Sequence, residues 1–109
     1  MKERTAFSRI ILSTLPWERM QKGRIIRLLH ESVQIGSTSF IVSSPRQEEI
    51  PKAFAAAYSE SGLSRDEIQL IAEVAKPTAI GLEDRVDELL RDLGTDYFDL
   101  LILNTVAEP

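Results

Sequence analysis

The sequence predicts an α/β protein built on a parallel sheet covered by helices. Three observations predict it. Short apolar runs alternate with amphipathic segments, strand–helix three times and then a strand. The apolar runs lack the clean alternation of a half-solvated sheet, as parallel strands buried on both faces do. The segments between them carry apolar residues at helical spacing. An open doubly wound sheet and part of a β/α barrel both fit this pattern, and periodicity does not choose between them.

The first strand is "RIILSTLP", Arg9 to Pro16, apolar and ended by proline. Helix one follows in "ERMQKGRIIRLLHESVQIG", where Ile25, Ile26, Leu29 and Val33 form one stripe and Gly36 is the stop. "TSFIVSSP", Thr38 to Pro45, is a β-branched second strand. In "EEIPKAFAAAYSESG" the spacing of Ile50, Phe54, Ala57 and Tyr58 predicts the second helix. Pro51 must sit in its first turn or kink it, because proline has no N–H to donate, and Gly62 ends it. "EIQLIAEV", Glu67 to Val74, is the third strand, and "KPTAIGL" is a loop. "EDRVDELLRDLG" is the clearest helix: Val86, Leu89, Leu90 and Leu93 share a face, acidic residues crowd the first turn, and Gly94 stops it. "DYFDLLILN", Asp96 to Asn104, is the fourth strand.

Composition narrows the function. At 109 residues the expectation is one domain, residues 1–109, and 43% hydrophobic with 28% charged residues is ordinary for a globular chain. A net charge of -4 argues against general binding to nucleic acid or anionic membranes, and Lys22, Arg24 and Arg27 read as a solvated helix face flanked by Glu18 and Glu31. Without cysteine there is no disulfide, thiolate chemistry or thiolate zinc site, and His30 is the only histidine. No apolar run nears the ~20 residues of a membrane span. "MKERTAFSR" has no signal-peptide core, so a soluble, cytoplasmic protein is expected. "LSTLPWERMQ", after the first strand, contains no glycine, so a Rossmann dinucleotide fingerprint is absent.

Four segments taken together resemble the aldo-keto reductase family. "EDRVDELLRDLGTDYFDLLILN" is similar to the segment in which a helix, "LGTDY-[IF]-DL" and an apolar strand run into a histidine. "LSRDEIQLIAEV" is similar to the "-RDE-" turn and third strand, which leads to a lysine. "GSTSFIVSSP" sits where the family has a glycine, an apolar strand and "D-T-A", and "SRIILSTLPW" resembles the first strand. The resemblance covers nearly the whole chain and implies the first half of a (β/α)8 barrel, a (β/α)4 TIM-type half-barrel. It implies that the nicotinamide cofactor's phosphate site, built from later strands, lies outside this sequence; no cofactor is expected. The family's tetrad is Asp, Tyr, Lys and His. Position by position, the aspartate falls on Ile41, the tyrosine near Arg46, the lysine on Glu73 and the histidine on Asn104. The resemblance therefore implies a fold without the reductase chemistry.

The residues left for a pocket at the strand C-terminal ends are Trp17, Arg46, Glu73 and Asn104. Glu73 is a carboxylate acid, base or cation ligand, or a solvated strand end. Asn104 orients a ligand or caps its strand. Trp17 lines a pocket or, the favoured reading, packs. His30 is read as a surface or packing residue. Asp99 interrupts an apolar strand and needs partners if buried; the resemblance gives it a structural role. Ser13, Ser43 and Ser44 have no histidine base nearby in sequence.

A four-stranded half leaves two strand edges and one sheet face to cover. The expectation is a catalytically degenerate half-barrel that self-associates, a dimer first, as a structural or binding module. Two alternatives stay open: an NADPH-linked oxidoreductase or small-ligand enzyme with a site rebuilt at the dimer interface, and a truncated fragment of an aldo-keto reductase.

Overall fold

The computed structural model describes residues 7–75 and 79–104. Four strands, β1 (Ile11–Ser13), β2 (Ser39–Ser43), β3 (Gln69–Ala75) and β4 (Leu100–Asn104), alternate with three helices, α1 (Lys22–Gln34), α2 (Lys52–Glu60) and α3 (Ala79–Leu93). Short 3-10 helices lie at Leu15–Arg19 and Arg65–Glu67. The sheet runs β1-β2-β3-β4 and every pairing is parallel.

Strand order resolves what periodicity left open. A doubly wound sheet reverses direction partway and places helices on both faces. Here each strand lies beside the one before it, so crossovers of one hand carry all three helices to one face. Burial shows which face. Phe40 and Val42 of β2 and Leu70 and Val74 of β3 share it and are fully buried. They form one core with Ile25 and Leu29 of α1, Phe54 and Ala57 of α2, and Leu89 and Leu93 of α3. This is the arrangement of a partial TIM-type barrel, with helices outside and the other sheet face inside.

Several element boundaries differ from expectation, each for a local reason. β1 covers only the centre of Arg9–Pro16, because Thr14 turns the chain: its N–H and Oγ1 both donate to the Ile41 carbonyl, at 3.0 and 3.1 Å. Leu15–Arg19 then forms a 3-10 helix, and Met20 is extended, so α1 begins at Lys22 rather than Glu18. Pro51 is not within α2. It sits at the N-cap, buried, where its carbonyl accepts from Ala55 N–H at 3.0 Å. Of the expected loop "KPTAIGL", 76–78 lie outside the described residues, while Ala79 to Leu82 belong to α3. β4 starts at Leu100, not Asp96, because the preceding residues wrap around Arg65. Gly94 ends α3 with φ +77°, its N–H and that of Thr95 both donating to the Leu90 carbonyl.

Pro51 offers no side-chain cap for α2, and Glu18 supplies one from the 3-10 helix. Its Oε2 and Oε1 accept from the N–H groups of Lys52 and Ala53 at 3.3 and 3.4 Å. A carboxylate there satisfies orphan donors and suits the helix dipole. The bonds are long and exposed, so Glu18→Ala is expected to cost only about 0.5 kcal/mol, read as a lower urea midpoint with unchanged slope.

Tyr58 stacks on Phe54 with centroids 6.1 Å apart and planes 6° from parallel. Burial pushes its phenol above the ordinary 10.0, and the Arg65 guanidinium pulls the other way. The folded state thus holds this proton more tightly than the unfolded chain. Its contribution to stability is complete below pH 10 and is lost as pH rises from there through the folded value. Tyr58→Phe is expected to flatten the alkaline limb of a stability–pH profile and leave the neutral region nearly unchanged.

No helix among the described residues is long and apolar enough to cross a membrane.

Candidate functional site

The face away from the helices is built by residues in matched register. Ser13, Ile41 and Ile71 pair in a row across β1, β2 and β3, with Leu100 of β4 beside Ile71. One step toward the C-terminal ends, Glu73 pairs with Ile102, and beyond them Ala75 pairs with Asn104. Side chains two apart in a strand share a face, so Ile41, Glu73 and Asn104 all belong to this open side. No described helix covers it. At the opposite end of the strands it is closed by polar groups. Ser8 and Ser39 exchange bonds of 3.0 and 3.1 Å, and Gln69 Oε1 accepts from the hydroxyls of Thr38 and Ser39 at 2.7 and 2.9 Å.

Between Ile41 and Ser43 the β2–β3 register shifts by a bulge. Bulges re-aim side chains at barrel rims. Ser43, fully buried, donates to the Glu73 carbonyl at 3.5 Å. Glu73 itself is half-buried.

Arg46 stands apart from Glu73 and Asn104. It is exposed on the loop after β2 and, with Gln47, Glu48, Glu49 and Arg85, lines an open groove of about 340 Å³. Glu48 fastens that loop. Its Oε2 accepts from Ala75 N–H at 2.7 Å, and its carbonyl accepts from Arg85 Nη1 at 3.1 Å. Trp17 stands apart too. Its ring lies edge-on to Phe40 at 6.5 Å and near Phe54 at 6.3 Å, on the helix side of the sheet. Within one chain the sheet therefore brings Glu73 and Asn104 together on one face, and leaves Arg46 on a rim loop and Trp17 in the aromatic core.

His30 lies on the helix layer, where Nε2 donates to the Ser61 carbonyl at 2.8 Å and ties α1 to the end of α2. The charged pair the sequence reading did not assemble is Arg65 with Asp99, Nη2 to Oδ2 at 2.8 Å. Asp99 in an apolar run is the signal that a partner is needed. Among the described residues no three of His, Asp and Glu gather as a metal site requires.

No family model and no curated protein matches the chain. Among solved structures it is similar to a crystal structure named for 2,5-diketo-D-gluconic acid reductase B, an aldo-keto reductase. The two are 26% identical with a TM-score of 0.54. The similarity covers 85% of this chain and 32% of that one. The fold is aldo-keto-reductase-like. The chain spans about a third of that neighbour's length, and the residues that the reductase resemblance aligned with catalytic positions lie where such a barrel opens, toward the C-terminal ends of β2, β3 and β4.

Proposed function

We propose that this chain is a non-reductase barrel module, a structural or binding unit that acts in an assembled state and uses no nicotinamide cofactor. One observation carries the reading: the aligned positions on the open face are Ile41, Glu73 and Asn104. Reductase chemistry of the resembled kind needs a phenol to protonate a carbonyl oxygen, tuned by a lysine and an aspartate. Ile41 has nothing to ionise. A carboxylate at Glu73 opposes phenolate formation. Asn104 does not transfer protons at neutral pH. No tyrosine stands near Arg46 in sequence, and Tyr58 is stacked on Phe54 in the helix layer.

The test is direct. Titration with NADPH, followed by fluorescence, is expected to show no saturable binding, and aldehydes no turnover. Turnover abolished by Glu73→Ala would overturn the reading and favour a rebuilt enzyme site. A second reading has its own support. The 32% coverage of the neighbour suits a chain whose open face is covered by further β/α units of a longer protein. In that case the 109-residue chain alone is expected to aggregate, and co-expression with the remaining units to rescue it.

A further inference from the structure

We propose that the groove between the β2–α2 loop and α3 holds the carboxylate of a small monoanionic molecule, gripped by Arg85 and Arg46. The inference names a ligand class and rests on the reading above only in treating the chain as a binding unit.

The groove is the one of about 340 Å³ lined by Arg46, Gln47, Glu48, Glu49 and Arg85. Its walls are the segment that follows β2 and the helix that follows β3. It therefore lies toward the C-terminal ends of the strands, where β/α folds bind ligands. Both arginines are positioned by backbone groups rather than by acids. Arg46 sits in a turn closed in both directions: Gln47 N–H donates to the Ser44 carbonyl at 3.0 Å, and Ser44 N–H to the Gln47 carbonyl at 3.2 Å. Among the described residues its guanidinium has no hydrogen bond and no ion pair. Arg85 is pinned through one nitrogen. Nη1 donates to the Glu48 carbonyl at 3.1 Å, and the same nitrogen lies 3.6 Å from Glu88, whose side chain is 58% exposed. Its Nε and Nη2 make no hydrogen bond among the described residues. Those two N–H groups form the side-on edge of a guanidinium, the fork that matches both oxygens of a carboxylate. A half-buried guanidinium, fixed in place with that edge unused, is the observation that points to a ligand.

Charge sets the class of ligand. The lining carries two arginines and two glutamates. Glu48 is already spent, since its Oε2 accepts the Ala75 N–H at 2.7 Å. Glu49 is exposed and has no ion pair among the described residues. Two cations therefore stand against one uncommitted carboxylate, which matches one added negative charge rather than two. The groove is open to water, so the affinity is expected to be weak, on the order of 10 mM.

Propionate titrated into the nitrogen-15-labelled chain at low salt is expected to move the Arg85 Nε–H and the Glu48 and Glu49 amide resonances to saturation. Propionamide has the same shape without the charge and is expected to move none of them; an equal response to both overturns the proposal. Arg46→Gln breaks no contact among the described residues and is expected to weaken propionate about fivefold. Unchanged affinity in that variant also overturns it. Arg85→Lys keeps the charge and loses the fork, and is expected to weaken propionate about tenfold. Glu49→Gln removes the competing carboxylate and is expected to tighten binding about threefold. Inorganic phosphate as the dianion is expected to bind more weakly than propionate; tighter binding would overturn the carboxylate assignment. These resonances are read without NADPH, so failure of the groove and failure of the non-reductase reading remain separate results.

Discussion

Asp99→Ala is expected to destabilise the protein by about 3 kcal/mol. The carboxylate does two things with one oxygen. Oδ2 accepts from Arg65 Nη2 and from the Leu70 N–H, both at 2.8 Å. Both charged side chains are removed from water, Arg65 to 18% and Asp99 to 7% exposure. Arg65 spreads its remaining donors over the same turn: Nε to Thr95 Oγ1 at 3.0 Å, Nη1 to the Ile68 carbonyl at 3.0 Å and Nη2 to the Tyr97 carbonyl at 2.9 Å. Its guanidinium lies 4.0 Å from the Tyr97 ring centroid. Arg65 thus links the start of β3 to the start of β4. Removing Asp99 leaves a buried cation short of its counterion and a buried strand N–H without its acceptor, the two costly outcomes for a polar group. Against a total of about 5–15 kcal/mol for a domain, that loss is severe. Asp99→Asn keeps an acceptor for Leu70 and is expected to cost about half as much, roughly 1.5 kcal/mol. Urea denaturation measures both. A loss within about 0.5 kcal/mol for Asp99→Ala, the range of an ordinary surface change, would show that the pair does not hold these strands.

The same pair shows where sequence reading reached and where it stopped. The parallel α/β class and the order of all seven main elements were legible, because each helix carried an apolar stripe and a glycine stop. Asp99 was legible as a residue needing partners. Arg65 was not legible as that partner: 34 residues separate them, and nothing local distinguishes an arginine that folds back from one that points to water. Glu48 and Glu18 were missed for the same reason, since each meets a distant backbone N–H. The open-face residues Ile41, Glu73 and Asn104 were found through a family resemblance, and parallel register brings them to one side. Trp17 and Arg46 do not join them in one chain. Thr14 turns the chain so that Trp17 falls among Phe40 and Phe54, and Arg46 rides a loop that Glu48 ties toward α3. Boundaries failed where turn geometry, rather than periodicity, decided them, as at Leu15–Arg19 and Ala79–Leu82.

Phe54→Ala is expected to cost about 4 kcal/mol, the largest single effect in the core. Phe54 is fully buried, with ring centroids 6.3 Å from Trp17, 6.3 Å from Phe40 and 6.1 Å from Tyr58. It therefore joins the 3-10 helix, β2 and its own helix in one aromatic cluster. α2 also packs against both α1 and α3, so no neighbour is free to collapse into the space a deleted ring leaves. The lost transfer energy and the residual cavity then add. Phe54→Leu keeps most of the apolar volume and is expected to cost about 1.5 kcal/mol. The consequence reaches the rim of the open face. Loosening α2 loosens the loop before it, which carries Glu48, and Glu48 accepts the Ala75 N–H at the end of β3. Hydrogen exchange at Ala75 is accordingly expected to accelerate in Phe54→Ala under native conditions, whereas the β2–β3 centre at Ile71 changes only as far as global stability falls. Equal acceleration at both positions would show that helix packing and strand-end geometry are not locally coupled.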